Sequence, residues 1–162
     1  MVGGLILAID PNRYAEFVGS INLISITVGE CHACRGNHVP PQKSLTVKVR
    51  GGAHVADDHA TMEAFIACDI APPDADESPF PALDSPERAT MEGYRISVRY
   101  VAKYGTKDGA TIPDDEEMTE EFTRRSAMLH VWPFIREHVA SESQRMGITP
   151  PLMLNLRLIP TQ

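Results

Sequence analysis

Cys31-His32-Ala33-Cys34 is a C-x-x-C pair, and His38, His54, His59 and Cys68 carry similar atoms elsewhere in the chain. A thiol–disulfide redox site needs such a pair to open a helix, where the dipole lowers a thiol pKa. Here Arg35-Gly36-Asn37-His38-Val39-Pro40-Pro41 follows, and it cannot be that helix. On a regular strand, residues three apart point to opposite faces, so the two thiols would diverge. A zinc site needs two further ligands, normally a second spaced pair. His32 and His38 supply them only if the strand has already ended. The expectation is ordinary strand cysteines, with no metal and no cofactor. The competing reading, a Cys/His metal or redox protein, requires stoichiometric zinc that is lost on Cys31→Ser together with Cys34→Ser.

Asp57-Asp58-His59, with Glu63 nearby, can be drawn as an acid–base or metal cluster. Adjacent carboxylates before a strand are the composition of a solvated turn. The acids Asp114 to Glu117 read as a helix N-terminus, where they complement the dipole. There is no phosphate-binding glycine loop, no G-x-S-x-G and no H-E-x-x-H. Catalysis has no anchor, and the chain is expected not to be an enzyme.

The elements around these residues follow from pattern. The chain has 162 residues, enough for one domain (1–162) with a core that needs no disulfide staples. Three cysteines are too few and too odd for a secreted disulfide framework. The net charge of -7 argues against a nucleic-acid binder, which needs clustered Lys and Arg. The apolar start, Met1 to Ile9, lacks a basic flank and falls short of the roughly 20 residues of a membrane span. A soluble, cytoplasmic protein is expected.

Asp10-Pro11-Asn12 is a cap for a short helix over 13–19. Ile21 to Cys34 is a long β-rich run. Leu45, Val47 and Val49 alternate with Thr46, Lys48 and Arg50 in a second strand. Met62, Ala64, Ile66, Cys68 and Ile70 share one face of a third, and Tyr94 to Tyr104 form the clearest strand. Between them, 71–88 holds five of the thirteen prolines and five acids, the composition of a mobile acidic loop. A helical stripe runs through Met118, Phe122, Ala127, Leu129, Trp132, Ile135 and Val139 to a stop at Gly147. Pro133 lies inside it, so either one helix kinks there or two helices meet. Leu152 to Leu158 alternate in an extended tail. The class is α+β: a four-stranded antiparallel sheet with a long C-terminal helix packed beside it.

Trp132-Pro133-Phe134 places three bulky apolar residues in a row, more than one helix face can bury. Apolar faces beyond the needs of one core, on an acidic chain, suit either self-assembly or a surface for other proteins' apolar segments.

Trp132-Pro133-Phe134-Ile135-Arg136-Glu137 resembles the F-P-Y-x-R-E helix signature of the SecB-type protein-export chaperones. Arg145 to Leu154 resembles that family's R-G-x-x-P-x-L-x-L exit. Val55-Ala56-Asp57-Asp58 is similar to its L-A-D-D turn, and Ile21 to Gln42, with His38-Val39, to its first strand and crossover. The resemblance covers about Ile21 to Leu158. It implies a homotetramer, a dimer of dimers, that holds unfolded polypeptide clients or preproteins in apolar grooves without ATP and passes them to the SecA motor. It also implies an alternative, a dedicated chaperone of one partner such as an antitoxin. By position it points to Leu45, Val47 and Val49 as groove-lining residues, with Trp132 and Phe134 as helix-side partners or subunit-interface residues.

The chain departs from the family in three places. The acidic K-D-I-S-F-E stretch that engages SecA reads Thr27-Val28-Gly29-Glu30-Cys31-His32 here, with one acid. The family's further C-terminal helix and tail have no counterpart before Gln162, and the 71–88 loop is longer. Client holding is therefore expected more than delivery to SecA.

Overall fold

The computed structural model describes residues 9–36, 45–72, 82, 84–91 and 93–155. Outside them lie the apolar start before Ile9, His38 and the crossover, most of the acidic loop with Phe80 and Leu83, and Leu156 and Leu158. Asp10 caps helix α1 (Pro11–Gly19), its carboxylate accepting the Asn12 N–H at 2.9 Å, with Pro11 in the first turn. Four strands follow: β1 (Ile21–Arg35), β2 (Thr46–Val55), β3 (Thr61–Ala71) and, after a short α2 (Glu87–Thr90), β4 (Tyr94–Thr106). They pair throughout as an antiparallel sheet in the order β1-β4-β3-β2, so successive strands β1 and β2 stand at opposite edges. This is the α+β architecture expected. α2 begins at Glu87, overlapping the last two residues of the 71–88 segment expected to be loop.

The two central strands carry the core. Met62, Ala64, Ile66, Cys68 and Ile70 of β3 are buried on one face, opposite Tyr104, Ala102, Tyr100, Val98 and Ile96 of β4. Directly opposed residues share a face, and this face meets the C-terminal helix. That helix is one run of three parts: α3 (Glu116–Phe122), a π-helical turn (Thr123–Ala127) and α4 (Met128–Arg145). Asp115 caps it, accepting the Met118 N–H at 3.1 Å. α4 passes through Pro133 as one helix, which decides between the two readings of that proline.

The irregularity lies ten residues earlier, at the π-turn. In an uninterrupted helix Leu129, seven residues after Phe122, shares its face. The wider turn adds a residue, so the buried face runs Met118, Phe122, Ala127, Val131, Ile135, Val139. Leu129, expected on this face, is exposed and Val131 takes the inward place. Tyr104 holds the helix in this rotation. Its ring meets Phe122 edge-on at 4.8 Å, and its hydroxyl hydrogen-bonds His130 Nδ1 at 2.9 Å. Phe17 of α1 also meets Phe122 edge-on. The helix stops at Gly147, whose φ of +73° is the left-handed C-terminal conformation that favours glycine. The chain then returns along α4, where the Leu152 N–H donates to Ser143 Oγ at 2.9 Å. Leu152 and Leu154 pack on the core while Met153 is exposed.

Strand geometry separates the two thiols of the C-x-x-C pair. Cys31 pairs with Val98 on the helix-side face and is exposed at the sheet edge. Cys34 pairs with Arg95 on the outer face and is buried, with Sγ 3.7 Å from Met91 Sδ. Cys68 is also buried, and burial, reinforced by the Asp69 charge, pushes its thiol up to about 12. None of the three forms a disulfide.

Two outcomes check this fold. Because Cys68 stays protonated well above neutrality and Cys34 is covered, a thiol reagent at pH 8 should modify Cys31 fast and the other two only on unfolding. Fast modification of two thiols in the native protein would overturn the assignment of faces. Ile135→Ala should cost about 2–5 kcal/mol in urea unfolding, and Leu129→Ala no more than about 0.5 kcal/mol. The reverse order would remove the π-turn.

Candidate functional site

The odd-numbered residues of β2 continue the apolar rows of the core. Val47 pairs with Ile70, Val49 with Cys68, Gly51 with Ile66, Ala53 with Ala64 and Val55 with Met62. The C-terminal helix meets this strand through α3 and the π-turn, while α4 lies along β4. Val47 and Val49 keep 44% and 39% of their surface exposed, although their partners on β3 are fully buried. Leu45, just before the strand, is half-buried against the core.

The helix comes closest to β2 at Gly51. A Cβ there would lie 3.0 Å from both Ile66 Cδ1 and Thr123 Cγ2, so a bare backbone is what allows the approach. Beside that contact opens a groove of about 440 Å³. Its floor is Val49, Ala53 and Ile66, and its helical wall is Thr119, Thr123 and Met128. Glu116, Glu120 and Arg124 stand at its rim.

The opposite flank is also apolar. Leu23 pairs with Tyr104 and Val28 with Tyr100, and these two β1 side chains are 41% and 52% exposed. Phe134, 46% exposed, leans over Tyr100 with ring centroids 6.0 Å apart, and His138 meets the same ring edge-on. Burial raises the Tyr100 hydroxyl above its ordinary range, helped by Glu137 and Cys31.

The five residues expected to line one groove therefore occupy three places. Leu45, Val47 and Val49 lie together at the β2 flank. Phe134 stands over β4, two strands away. Trp132 is buried beside the returning tail, next to a second groove of about 620 Å³ with Arg136, Ala140, Pro151 and Met153. Its indole Nε1 has no hydrogen-bond partner among the described residues. Sequence reasoning missed Leu23 and Val28. Register shifts between Leu23 and Ser25 and between Val28 and Glu30 break the alternation that would have marked them.

The polar candidates form a turn. Asp58 Oδ1 accepts the Ala60 N–H at 2.8 Å, and His59 hydrogen-bonds the Ile112 carbonyl at 3.0 Å with φ +52°. Glu63 lies on the outer face, across from His54 and Lys103. Among the described residues, no three His, Cys, Asp or Glu side chains gather closely enough to hold a metal ion. No described helix is long and apolar enough to cross a membrane.

No protein-family model and no curated protein matches this sequence. Among solved structures, the chain is similar to a SecB-like chaperone of Mycobacterium tuberculosis, determined in complex with a ChAD peptide from the HigA1 antitoxin. The superposition has a TM-score of 0.62 at 17% sequence identity, over 90% of this chain and 98% of the other. The sheet order, the long C-terminal helix and this likeness together give the chain a SecB-like fold.

Proposed function

We propose that this protein is an ATP-independent chaperone that holds unfolded or extended polypeptide segments at the apolar β2 flank of its sheet. One observation carries the reading: the apolar rows of the core run out beyond the helix, leaving Val47 and Val49 exposed beside a formed groove. Large apolar groups left at a sheet edge are a liability unless a partner uses them. The SecB-like fold supports the same use. Many weak apolar contacts along a client give affinity through avidity, with little demand on its sequence. The net charge of -7 keeps such a surface soluble.

The solved neighbour carries an antitoxin peptide, which supports a second reading in which this cytoplasmic chain serves one dedicated partner. The two differ in selectivity, since a general holdase takes many unfolded proteins and a dedicated one takes a single segment. Delivery to a SecA motor is the weaker part of the export reading, because the stretch from Thr27 to His32 has only Glu30 as an acid. Assembly into the tetramer implied by the resemblance would use the other flank, where Leu23, Val28 and Phe134 are exposed.

Two experiments test these readings. Fluorescence anisotropy with a labelled protein, unfolded and folded, should show binding of the unfolded form alone. Val47→Asp with Val49→Asp should weaken that binding about tenfold or more, each buried methyl-bearing contact contributing on the order of 1 kcal/mol. Binding to neither form would sink the general chaperone and leave the dedicated one. In sedimentation, Val28→Asp should lower the assembled mass, and an unchanged tetramer would remove β1 from the interface.

A further inference from the structure

The face of the sheet turned away from the C-terminal helix carries side chains that the chaperone reading leaves unused. Antiparallel pairing lays them out in rows. Taken from β2 across β3 to β4, one central row is Arg50, Ala67 and Arg99, and the next is Gly52, Phe65 and Val101. Small residues keep this centre flat. A Cβ on Gly52 would lie 2.7 Å from the Phe65 ring, so the ring rests over bare backbone. Ala67 separates the two arginines, both of which are exposed.

The charge of this face runs against that of the chain. Its strands present five cations, Lys48, Arg50, Arg95, Arg99 and Lys103, against three acids, Glu30, Glu63 and Asp69. The face is therefore +2 on a chain whose net charge is -7. Two of the acids are engaged with neighbours. Asp69 is ion-paired with Arg50 at 2.7 Å, and Glu30, which stands across from Arg99, bonds His32 at 2.7 Å instead. Among the described residues Arg99 makes no ion pair. Its guanidinium lies over the Phe65 ring, 4.7 Å from the centroid. Stacking of that kind fixes the plane of an arginine and leaves its N–H edge to take a carboxylate in two parallel bonds. An arginine and an aromatic ring at the centre of a flat patch are also the residue types that carry protein–protein contacts.

We infer that this outer face is a second docking surface, for an acidic polypeptide segment with an aromatic or aliphatic side chain set among its carboxylates. The carboxylates meet Arg99 and Arg50, and the apolar side chain rests on Ala67, Phe65 and Val101. A second copy of the face is a poor partner, since it repeats the same excess of cations. A nucleic acid is a poor partner too, because one ring among mixed charges is neither a stacking row nor a cationic stripe. The surface lies on the opposite side of the sheet from the groove beside β2, and the inference does not depend on the chaperone reading.

Labelled nine-residue peptides test it by anisotropy: polyglutamate with a central phenylalanine, the same with a central alanine, and polylysine with a central phenylalanine, beside a nine-nucleotide single-stranded RNA. The glutamate–phenylalanine peptide should bind about fivefold or more tightly than either other peptide at low salt, and its lead over the lysine peptide should shrink at high salt. Arg99→Glu should weaken it about fivefold or more with no change in the urea midpoint, because the position is exposed. Glu30→Gln, which removes the acid facing Arg99, should tighten it, and this variant decides alone if Arg99→Glu lowers the midpoint. Val47→Asp with Val49→Asp should leave it unchanged. No binding of the glutamate–phenylalanine peptide, equal binding of the lysine peptide, or no response to either charge variant would overturn the inference. Loss of binding in the Val47→Asp, Val49→Asp protein would place the peptide in the groove and overturn it as well. Tighter binding of the RNA would assign the face to a nucleic acid, with the same consequence. Titration with unfolded protein reports on the groove alone, so failure of the chaperone reading is told apart from failure of this one.

Discussion

A helix with its side chains is about 10 Å wide, while the outer backbones of four strands about 4.8 Å apart lie roughly 14 Å from one another. One helix laid on such a sheet covers two strands well and four strands badly. Much of this protein follows from that mismatch. β3 and β4 are buried almost completely on their helix side, while β1 and β2, carrying the same apolar rows, are left partly open. α1 and the returning tail add cover through Phe17, Leu152 and Leu154 but do not close the flanks. A second long helix would have made an ordinary closed α+β core. Its absence from the described residues gives this sheet two apolar margins.

The placement of the single helix therefore decides which margin becomes a groove. Two contacts set it. Tyr104, gripped between Phe122 and His130, ties the helix to β4. Gly51 lets the π-turn come down near β2, where a Cβ would push against Thr123. The helix thus leans toward β2 at its start and lies along β4 further on. A walled groove forms on the β2 side, whereas Phe134 over Tyr100 leaves the β1 side more open. The two margins are chemically similar and geometrically unequal.

The central strands were legible in the sequence because both have one face buried, and period-two alternation is the signature of that burial. β3 and β4 matched it residue by residue. The edge strands were less legible: β2 is exposed on much of both faces, and the bulges of β1 shift its apolar residues between faces. Caps and stops at Asp10, Asp115 and Gly147 were readable because they depend on one side chain or on one left-handed φ. The π-turn was not, since nothing local in Thr123 to Ala127 announces an extra residue. The placement of Leu129 went wrong with it. Of the candidate site, Leu45, Val47 and Val49 were reached through family resemblance, and their shared margin is a property of sheet order. Phe134 and Trp132, two residues apart, went to different surroundings because neighbours at that spacing lie on different sides of a helix.

An exposed apolar margin beside an unpaired strand edge is the arrangement that most soluble proteins avoid, because it invites indiscriminate pairing. Here the other side of the same edge is cationic, while the chain as a whole is acidic. Edge-to-edge pairing of two copies centred on Lys48, Val49 or Arg50 would bring like charges together and is disfavoured. The margin that the single helix leaves open is thus bordered on its far face by two cations that make some registers of self-pairing costly.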